Sequence, residues 1–586
     1  MIVDARAHGR RVRRAAVENV DVARIFDEVA DLLEIEGANP FRVRAYRAAA
    51  RTMDTLGAPA RDLAARADGL ETLPGIGADL AGKIRTILET GDLPLRRQLT
   101  RRTPAGLVEM MRIPGLGPKR AKLLYRKLGV RTIAQLEKAA SAGRLRTLPG
   151  FKQALEAKIV QGLREYHARQ GRVRLSDADA YAAPLVEHLR STPGLSRIDV
   201  AGSYRRRRDT VGDLDILAAA SRPRLVADRF LTYPGVARVE AHGTTRCAVV
   251  LASGLHVDLR IVPAVSYGAA LLYFTGSKAH NIAIRALGVK RRLKVNEYGV
   301  FRGTRRIGGR REEEVCGAVG LPCIPPELRE DRGEVDAARE GRLPHLVELA
   351  DIRGDLHVHT TDTDGRSTLA DMVEACRARG YAYVAITDHT KAVRVAGGLT
   401  AAGFRRQFRE IDRLQARTPG LTILKGAEVD ILDDGTLDLD AGTLAALDVV
   451  VVAVHSKFAM SQAAMTRRIV TALQHPCVHI LAHPTGRLIG RREPYALDMT
   501  AVLRAARDHG VLVEINAQPD RLDLDDVHAR MAVDAGVRLV VSTDAHSVDE
   551  LAFLRHGVDQ ARRAWCRAAD VANTRSTAAL GRLLKT

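Results

Sequence analysis

Between Asp355 and His546 short apolar runs alternate with helical stretches and close on residues of metal-binding type. Four of them, Tyr383 to Thr387, Val449 to Val454, Val511 to Ile515 and Leu539 to Ser542, have strand length, and each ends at or next to a His, Asp, Asn or Glu. This rhythm predicts a β/α barrel or an open α/β sheet, folds in which catalytic groups collect at the C-terminal ends of strands. His357 and His359 stand two apart in Asp355-Leu356-His357-Val358-His359. On a strand that spacing turns both rings to one side. Imidazole mixed with carboxylate favours Zn2+, Mn2+ or Fe2+ over Mg2+ alone.

A second concentration of chemistry lies in the middle of the chain. Ala201-Gly202-Ser203 is followed by Asp213-Leu214-Asp215, a spacing that resembles the nucleotidyltransferase pattern of Gly-Ser and a later Asp-x-Asp on a strand. Strand alternation puts Asp213 and Asp215 on one face, where they can share a pair of cations. Asp258, in Val257-Asp258-Leu259-Arg260, is the matching third carboxylate from a neighbouring strand. Such a set suits Mg2+, and two ions would activate a primer 3′-oxygen and stabilise the leaving pyrophosphate. Gly202 and Ser203 are expected to let the backbone approach a triphosphate, and Arg206 resembles the arginine that contacts its β-phosphate.

Tyr273-Phe274-Thr275-Gly276-Ser277-Lys278-Ala279-His280-Asn281, with Arg285 after it and Asn296-Glu297-Tyr298-Gly299 beyond, resembles the nucleotide-selecting region of family X DNA polymerases. The resemblance implies that Tyr273, Phe274 and Gly276 crowd the sugar 2′ position and so select deoxynucleotides. It also implies that Asn281 touches the incoming base in the minor groove and Arg285 the template side. Two positions depart from the pattern. Arg207 replaces a glycine of the vertebrate beta enzyme, and His256 stands where relatives often carry an arginine supporting Asp258.

The first part of the chain is helical in pattern and repeats one short unit. Leu73-Pro74-Gly75-Ile76-Gly77, Ile113-Pro114-Gly115-Leu116-Gly117 and the shorter Leu148-Pro149-Gly150 each precede a basic helical stretch. These turns resemble the helix-hairpin-helix motif of DNA repair proteins, in which backbone N–H groups at a helix start meet a phosphate. Gly75, Gly77, Gly115, Gly117 and Lys119 are the residues so placed, and the third copy, lacking its second glycine, is left as structural. Asn39 to Tyr46 resembles the start of the family X lyase domain. Lys83, six residues after Gly77, occupies the place of the lysine that forms a Schiff base with a 5′-deoxyribose phosphate in that domain. Asp79 stands where the vertebrate relatives have a phosphate-binding lysine, so Lys83 is either a catalytic amine in a pKa-lowering basic pocket or a DNA contact.

Charge separates the two ends of the chain. From Asp351 onward there are 30 Lys+Arg and 30 Asp+Glu, so the whole net charge of +21 resides in residues 1–350. Such a field attracts a polyanion and releases its counterions. The six cysteines are scattered with no C-x-x-C, which argues against disulfides and a thiolate zinc site. With no apolar stretch of membrane-spanning length and no signal-peptide pattern, the expected location is the cytoplasm, at the nucleoid.

From end to end the chain resembles the bacterial-type family X DNA polymerases that carry a C-terminal PHP (polymerase and histidinol phosphatase) domain. The PHP likeness rests on Asp355 to Thr360, Asp364-Gly365, Thr387-Asp388-His389, Gly426-Ala427-Glu428, Val454-His455-Ser456, Ala482-His483-Pro484 and Ser542 to His546. The family's trinuclear arrangement implies one ion on His357, His359, Glu428 and Asp544, a second on Glu428, His455 and His483, and a third on Asp364, His389 and His546. These would be Mn2+ or Zn2+, hydrolysing phosphoesters.

The implied fold is multidomain: a helical helix-hairpin-helix N-terminal region, an α/β nucleotidyltransferase polymerase core and a C-terminal β/α-barrel-like PHP domain. A basic disordered arm is expected at 1–17, a lyase-like domain at 18–95, a fingers-like domain at 96–175 and the palm at 176–260. A thumb-like nucleotide-selecting domain follows at 261–325, a linker at 326–352 and the PHP domain at 353–586. The implied function is filling short gaps in DNA repair from dNTPs, with 3′-to-5′ exonuclease or 3′-end processing, by a monomer on gapped or nicked DNA and without a membrane. The alternative is an end-processing phosphoesterase whose polymerase half merely positions DNA.

Overall fold

The computed structural model describes residues 19–584 except 55–59, 67–68, 74, 112, 114 and 170–171, so the expected arm at 1–17 lies outside the described residues. The chain divides into two compact units, residues 1–168 and 169–586.

The first unit is helical throughout its described residues and has two apolar cores. In the first core the helix Asn19–Glu36 contributes Val22, Phe26, Val29 and Leu33, a recurrence every three or four residues that makes one stripe. Pro40–Asp54 packs against it through Tyr46, whose ring meets Phe26 edge-on at 5.6 Å. Pro40 at the first turn of that helix has no N–H to leave unpaired, and the Asn39 side chain accepts from Phe41 N–H at 2.9 Å. The second core gathers Leu116, Leu124, Leu136, Phe151 and Ile159 from Pro118–Leu128, Ile133–Ser141 and Gln153–Arg169.

In the second unit a five-stranded sheet comes first. Across it the strands run Leu195–Val200, Asp213–Ala220, His256–Val262, Arg246–Leu251 and Val236–His242, and the central pair is parallel. Next come the helices Tyr267–Thr275 and Lys278–Lys290, a three-stranded antiparallel sheet spanning residues 294–308 and the helix Glu312–Ala318. Leu272, Ile284, Val300 and Val315 form the core of this part, and Trp565 from the far end of the chain packs against it.

The stretch read as a linker joins this part to the next as packed chain. Arg329 and Glu334 in it are 1% and 0% exposed, because Arg329 pairs with Glu312 at 2.7 Å and Glu334 with His280 at 2.7 Å.

The remainder is a seven-stranded parallel sheet in chain order, Gly354–Val358, Tyr383–Ile386, Thr422–Asp430, Val449–Ala453, Ile480–Leu481, Leu512–Asn516 and Leu539–Ser542. A bridge between Val358 and Ala545, with His359 N–H donating to the Ala545 carbonyl at 2.8 Å, brings first and last strands together, so the sheet is a nearly closed barrel. Val449, Val451 and Ala453 join a cluster built mainly of strand residues, whereas Val450 and Val452 pack with helix residues such as Phe404, Ile469 and Leu503. Both faces of Val449–Ala453 are therefore buried, which is why this strand reads as an unbroken apolar run.

Candidate active sites

Five imidazoles converge on Glu428, which is 1% exposed and stands near the C-terminal end of the strand Thr422–Asp430. Its Oε2 lies 3.5 Å from His357 Nε2, 3.5 Å from His359 Nε2 and 2.8 Å from His389 Nδ1. Its Oε1 lies 3.2 Å from His455 Nε2 and 2.9 Å from His483 Nε2. Asp544 Oδ1 stands 3.1 Å from His359 Nε2, and the two oxygens of Asp364 stand 3.4 Å from His546 Nε2 and 3.5 Å from His389 Nε2. Burial opposes ionisation of Glu428, yet His389, His455 and His357 hold its carboxyl well below the usual range.

The donor set fits metal ions. His357 Nε2, both ring nitrogens of His359, His389 Nδ1 and Asp364 Oδ1 are buried without a hydrogen-bond partner, a cost that coordination would remove. Among the described residues three groups have ligand atoms close enough to share an ion: His359, Asp364, His389 and His546; His357, His359 and Asp544; and His389, Glu428 and His455. These groups overlap the three sets implied by the sequence without matching them: Glu428 falls with His389 and His455, His359 joins the Asp364 group, and His483 belongs to none of the three although its Nε2 lies 2.9 Å from Glu428 Oε1.

A surrounding layer escaped the sequence reading. His357 Nδ1 lies 2.8 Å from Glu514 Oε1 and His455 Nδ1 3.1 Å from Asp430 Oδ1, so a proton on each Nδ1 leaves Nε2 with its lone pair toward the centre. Asn516 Nδ2 donates to Glu514 Oε2 at 3.1 Å and to Asp544 Oδ2 at 3.0 Å. The available signal was position: Glu514 and Asn516 close an apolar strand, and Asp430 stands two residues after Glu428, on the same face. His483 and Asp544 have φ of +27° and +53°, conformations costly for residues with a β-carbon, at two of the converging positions.

The second centre is built on the parallel pair of the five-stranded sheet, where Asp215 is in register with Asp258 and Asp213 precedes it by two. Burial, then the charges of Asp213 and Asp258, push the Asp215 carboxyl up to about 7. Gly202, at φ +61°, lies against this carboxylate so closely that a β-carbon would collide with it. The glycine therefore makes room for Asp215, in addition to any room it gives a triphosphate. The support expected near Asp258 comes from the adjacent strand, since Arg246 Nε donates to Asp258 Oδ1 at 3.1 Å while His256 faces Glu240 at 3.2 Å. Ser203 lies in the one-turn helix Gly202–Arg205.

Arg206 is nearly buried. Its Nε donates to Glu330 Oε1 at 3.0 Å and its Nη1 to the Thr275 carbonyl at 2.5 Å, so the loop carrying it and the Tyr273 to Gly276 turn are tied together. Tyr273 and Phe274 meet edge-on at 5.2 Å, with Gly276 turning the chain at φ +70°. The Arg285 guanidinium lies 5.1 Å over the Tyr273 ring, and Asn281 Nδ2 donates to the Tyr273 carbonyl at 2.7 Å. Leu272, Tyr273, Asn281, Ile284, Arg285 and Asn296 line one pocket.

In the helical unit Gly75 and Gly115 turn at φ +77° and +96°, which favours glycine. Gly77 and Gly117 differ: they precede Ala78–Thr90 and Pro118–Leu128 at φ −87° and −94°, open to any residue, and a β-carbon there would meet nothing within 4 Å. Among the described residues nothing requires a glycine at either position. Lys119 is exposed one residue into the second helix. Lys83 meets a carboxylate and a ring. It pairs with Asp79 at 2.5 Å and lies 5.1 Å over the Tyr46 ring. Burial pulls its pKa down, but Asp79 and Tyr46 outweigh that and raise it.

Comparison with known proteins agrees with this layout. Family models match a helix-hairpin-helix domain at residues 17–93, a SAM-like helix-hairpin-helix tandem at 107–165, the DNA polymerase beta thumb at 270–330 and a PHP domain at 355–517. The DNA polymerase/3'-5' exonuclease PolX of Bacillus subtilis (strain 168) is 38% identical over 562 residues, covering 95% of this chain and 97% of that protein. A probable phosphatase of Thermoanaerobacter sp. (strain X514) is 30% identical over 33% of this chain and 78% of its own length. DNA polymerase lambda of Rattus norvegicus is 27% identical over 44% of this chain and 48% of its own. No helix among the described residues is long and apolar enough to cross a membrane.

Proposed function

Because the chain belongs to the bacterial-type family X DNA polymerases with a C-terminal PHP domain, we propose that it fills short gaps in DNA and trims 3′ ends with its PHP centre during base excision or end repair. The observation that carries the reading is that two acidic centres stand in one compact unit and share no residue, the carboxylate trio Asp213, Asp215 and Asp258 and the histidine-rich cluster around Glu428. The substrates are gapped or nicked duplex and dNTPs, met by a monomer at the nucleoid.

Both centres are metal-dependent. Mg2+ at the carboxylate trio and Mn2+ or Zn2+ in the PHP cluster, up to three ions, would supply charge neutralisation and an activated oxygen nucleophile when bound. The protein's own part is positioning. Asp213, Asp215 and Asp258 fix where positive charge sits, and Gly202 keeps the space beside them open. Arg206 has Nε and Nη1 engaged, which leaves Nη2 for a triphosphate oxygen. Tyr273 and Phe274 wall off the sugar 2′ position. Asn281, whose Oδ1 lacks a partner, faces the base edge, and Arg285 the template. In the PHP centre Glu514 and Asp430 hold His357 and His455 with Nε2 inward, while Glu428 spans the cluster.

Gly77, Gly117 and Lys119 are assigned to phosphate contacts. Lys83 is assigned the same role rather than Schiff-base chemistry, because its amine is paired with Asp79 at 2.5 Å, which favours the charged form over the neutral nucleophile. The reading in which the polymerase half only positions DNA is disfavoured by the intact carboxylate trio, with Asp215 in register with Asp258 and Asp213 two residues before it on the same strand face.

The test is a gapped duplex supplied with dNTPs across Mg2+ and Mn2+. Wild type fills the gap, whereas Asp213→Ala and Asp215→Ala do not, yet both still shorten a recessed 3′ end. Equal loss of both activities in these variants would show that one centre serves both.

A further inference from the structure

We infer that Arg563, a residue of the C-terminal barrel half, is a positioning residue for nucleotide binding at the polymerase centre, acting through Glu330 on Arg206. The inference rests on the reading that Arg206 meets the triphosphate.

Arg563 closes the helix Leu554–Arg563, and its side chain is 2% exposed. Its Nη1 donates to the main-chain carbonyl of Arg206 at 2.7 Å and stands 3.2 Å from Glu330 Oε1, while its Nη2 donates to Asp526 Oδ2 at 2.5 Å. Glu330 Oε1 is the same oxygen that accepts from Arg206 Nε at 3.0 Å. One nitrogen of Arg563 therefore touches both ends of Arg206, its backbone directly and its guanidinium through one carboxylate. The contacts close a ring, from the Arg206 carbonyl to Arg563 to Glu330 and back to the Arg206 side chain.

The charge around Glu330 gives the ring its direction of effect. Arg206, Arg563 and, at 3.7 Å, Arg208 surround this one carboxylate, whose side chain is 10% exposed. A carboxylate in low dielectric binds its cations strongly, and each added cation lessens its hold on the others. With Arg563 in place, Glu330 stays neutralised when Arg206 turns part of its hydrogen bonding to a triphosphate. Without Arg563 the carboxylate falls back on Arg206 and Arg208, and it competes with the nucleotide for Arg206. The loop also loses the bond that fixes the Arg206 carbonyl. Both changes weaken nucleotide binding, and neither touches Asp213, Asp215 or Asp258.

The experiment is single-nucleotide insertion by the full chain, read as KM for dNTP against kcat, with hydrolysis of a recessed 3′ end measured alongside. Arg563→Ala is expected to raise KM about tenfold, the loss of one charge-assisted hydrogen bond, with kcat changed less than about twofold and hydrolysis unchanged. Asp559→Asn breaks a different contact between the same two halves, the pair with Arg207 at 2.7 Å, and leaves Glu330 untouched. Its KM should stay at the wild-type value. An equal rise in both variants would mean that general docking of the halves is being read, and would overturn the inference. Arg206→Ala separates the two levels of the argument. If it leaves KM unaltered, the triphosphate reading of Arg206 fails and this inference with it; if it raises KM while Arg563→Ala does not, the reading stands and Arg563 has no such role. Should Arg563→Ala fail to fold, Arg563→Lys keeps one cation beside Glu330 and should give an intermediate rise, an unchanged KM again counting against the proposal.

Discussion

Arg487 Nη1 lies 3.3 Å from Asp209 Oδ2, and the pair joins the two catalytic halves at their ligand-bearing loops. Arg487 follows His483 by four residues, and Asp209 precedes Asp213 by four. The same guanidinium donates to the Arg521 carbonyl at 2.8 Å and the Leu522 carbonyl at 2.5 Å. Its side chain is 12% exposed, so removal strands three acceptors in a poorly hydrated place. Arg487→Ala should cost about 2 to 4 kcal/mol of stability. A double-mutant cycle with Asp209→Ala, followed by urea unfolding, should show a coupling of about 1 kcal/mol. Additive effects would mean that the pair contributes nothing across the boundary.

Glu428→Ala is expected to eliminate 3′-end hydrolysis and spare polymerisation. Every one of its five imidazole neighbours loses the carboxylate that holds it in place. A peripheral change, His455→Ala, leaves the other ligands and should be partly rescued by excess Mn2+. Hydrolysis of a recessed 3′ end over a metal titration distinguishes the two, and near-normal hydrolysis by Glu428→Ala would remove it from the centre of the chemistry.

How much of this was legible beforehand follows from where each side chain gets its meaning. Asp213, Asp215 and Asp258 were readable because strand alternation is a local rule, and the histidines because their motifs arrive in a fixed order. Glu514, Asp430 and Asn516 were not singled out, since an acid at a strand end becomes a histidine's partner only once the barrel closes. The strand Thr422–Asp430 went unlisted because Lys425, Gly426 and Glu428 interrupt its apolar run. Arg246 was invisible for a related reason: it reaches Asp258 across a strand pair whose register the sequence leaves open. For Lys83 the sequence left two roles open, because Asp79 one helical turn away was visible but its pairing with the amine was not.

The Asp215 carboxyl gives a pH dependence whose sign can be worked out. In the folded, metal-free protein it holds its proton up to about pH 7, while an ordinary aspartate releases it near 3.8. The unfolded chain thus sheds a proton first, and the folded state loses stability as pH rises from about 4 to about 7, by up to about 4 kcal/mol. In EDTA, Asp215→Asn should therefore unfold at a higher temperature than wild type above pH 7 and at a similar one near pH 4. Saturating Mg2+ should shrink or reverse the gap by binding wild type. A gap independent of pH would contradict the assignment.

For Lys83, borohydride reduction in the presence of a 5′-deoxyribose phosphate end should give little covalent product, and Lys83→Ala should not change the yield. Affinity for the same DNA should fall in Lys83→Ala, the more so at low salt. Loss of a substantial covalent product on substitution would instead make this lysine a nucleophile.

Trp565 is the single tryptophan of the chain, and it belongs to the barrel half while packing on the core of the nucleotide-selecting part. The Arg530 guanidinium covers it at 4.8 Å from the ring centre. The protein therefore carries its own optical probe at the seam between its two catalytic halves. Indole emission will report that seam and be blind to rearrangements elsewhere. If nucleotide binding parts the halves, the emission shifts to the red in the stopped-flow trace; if they move as one body, the trace stays flat while the chemistry proceeds.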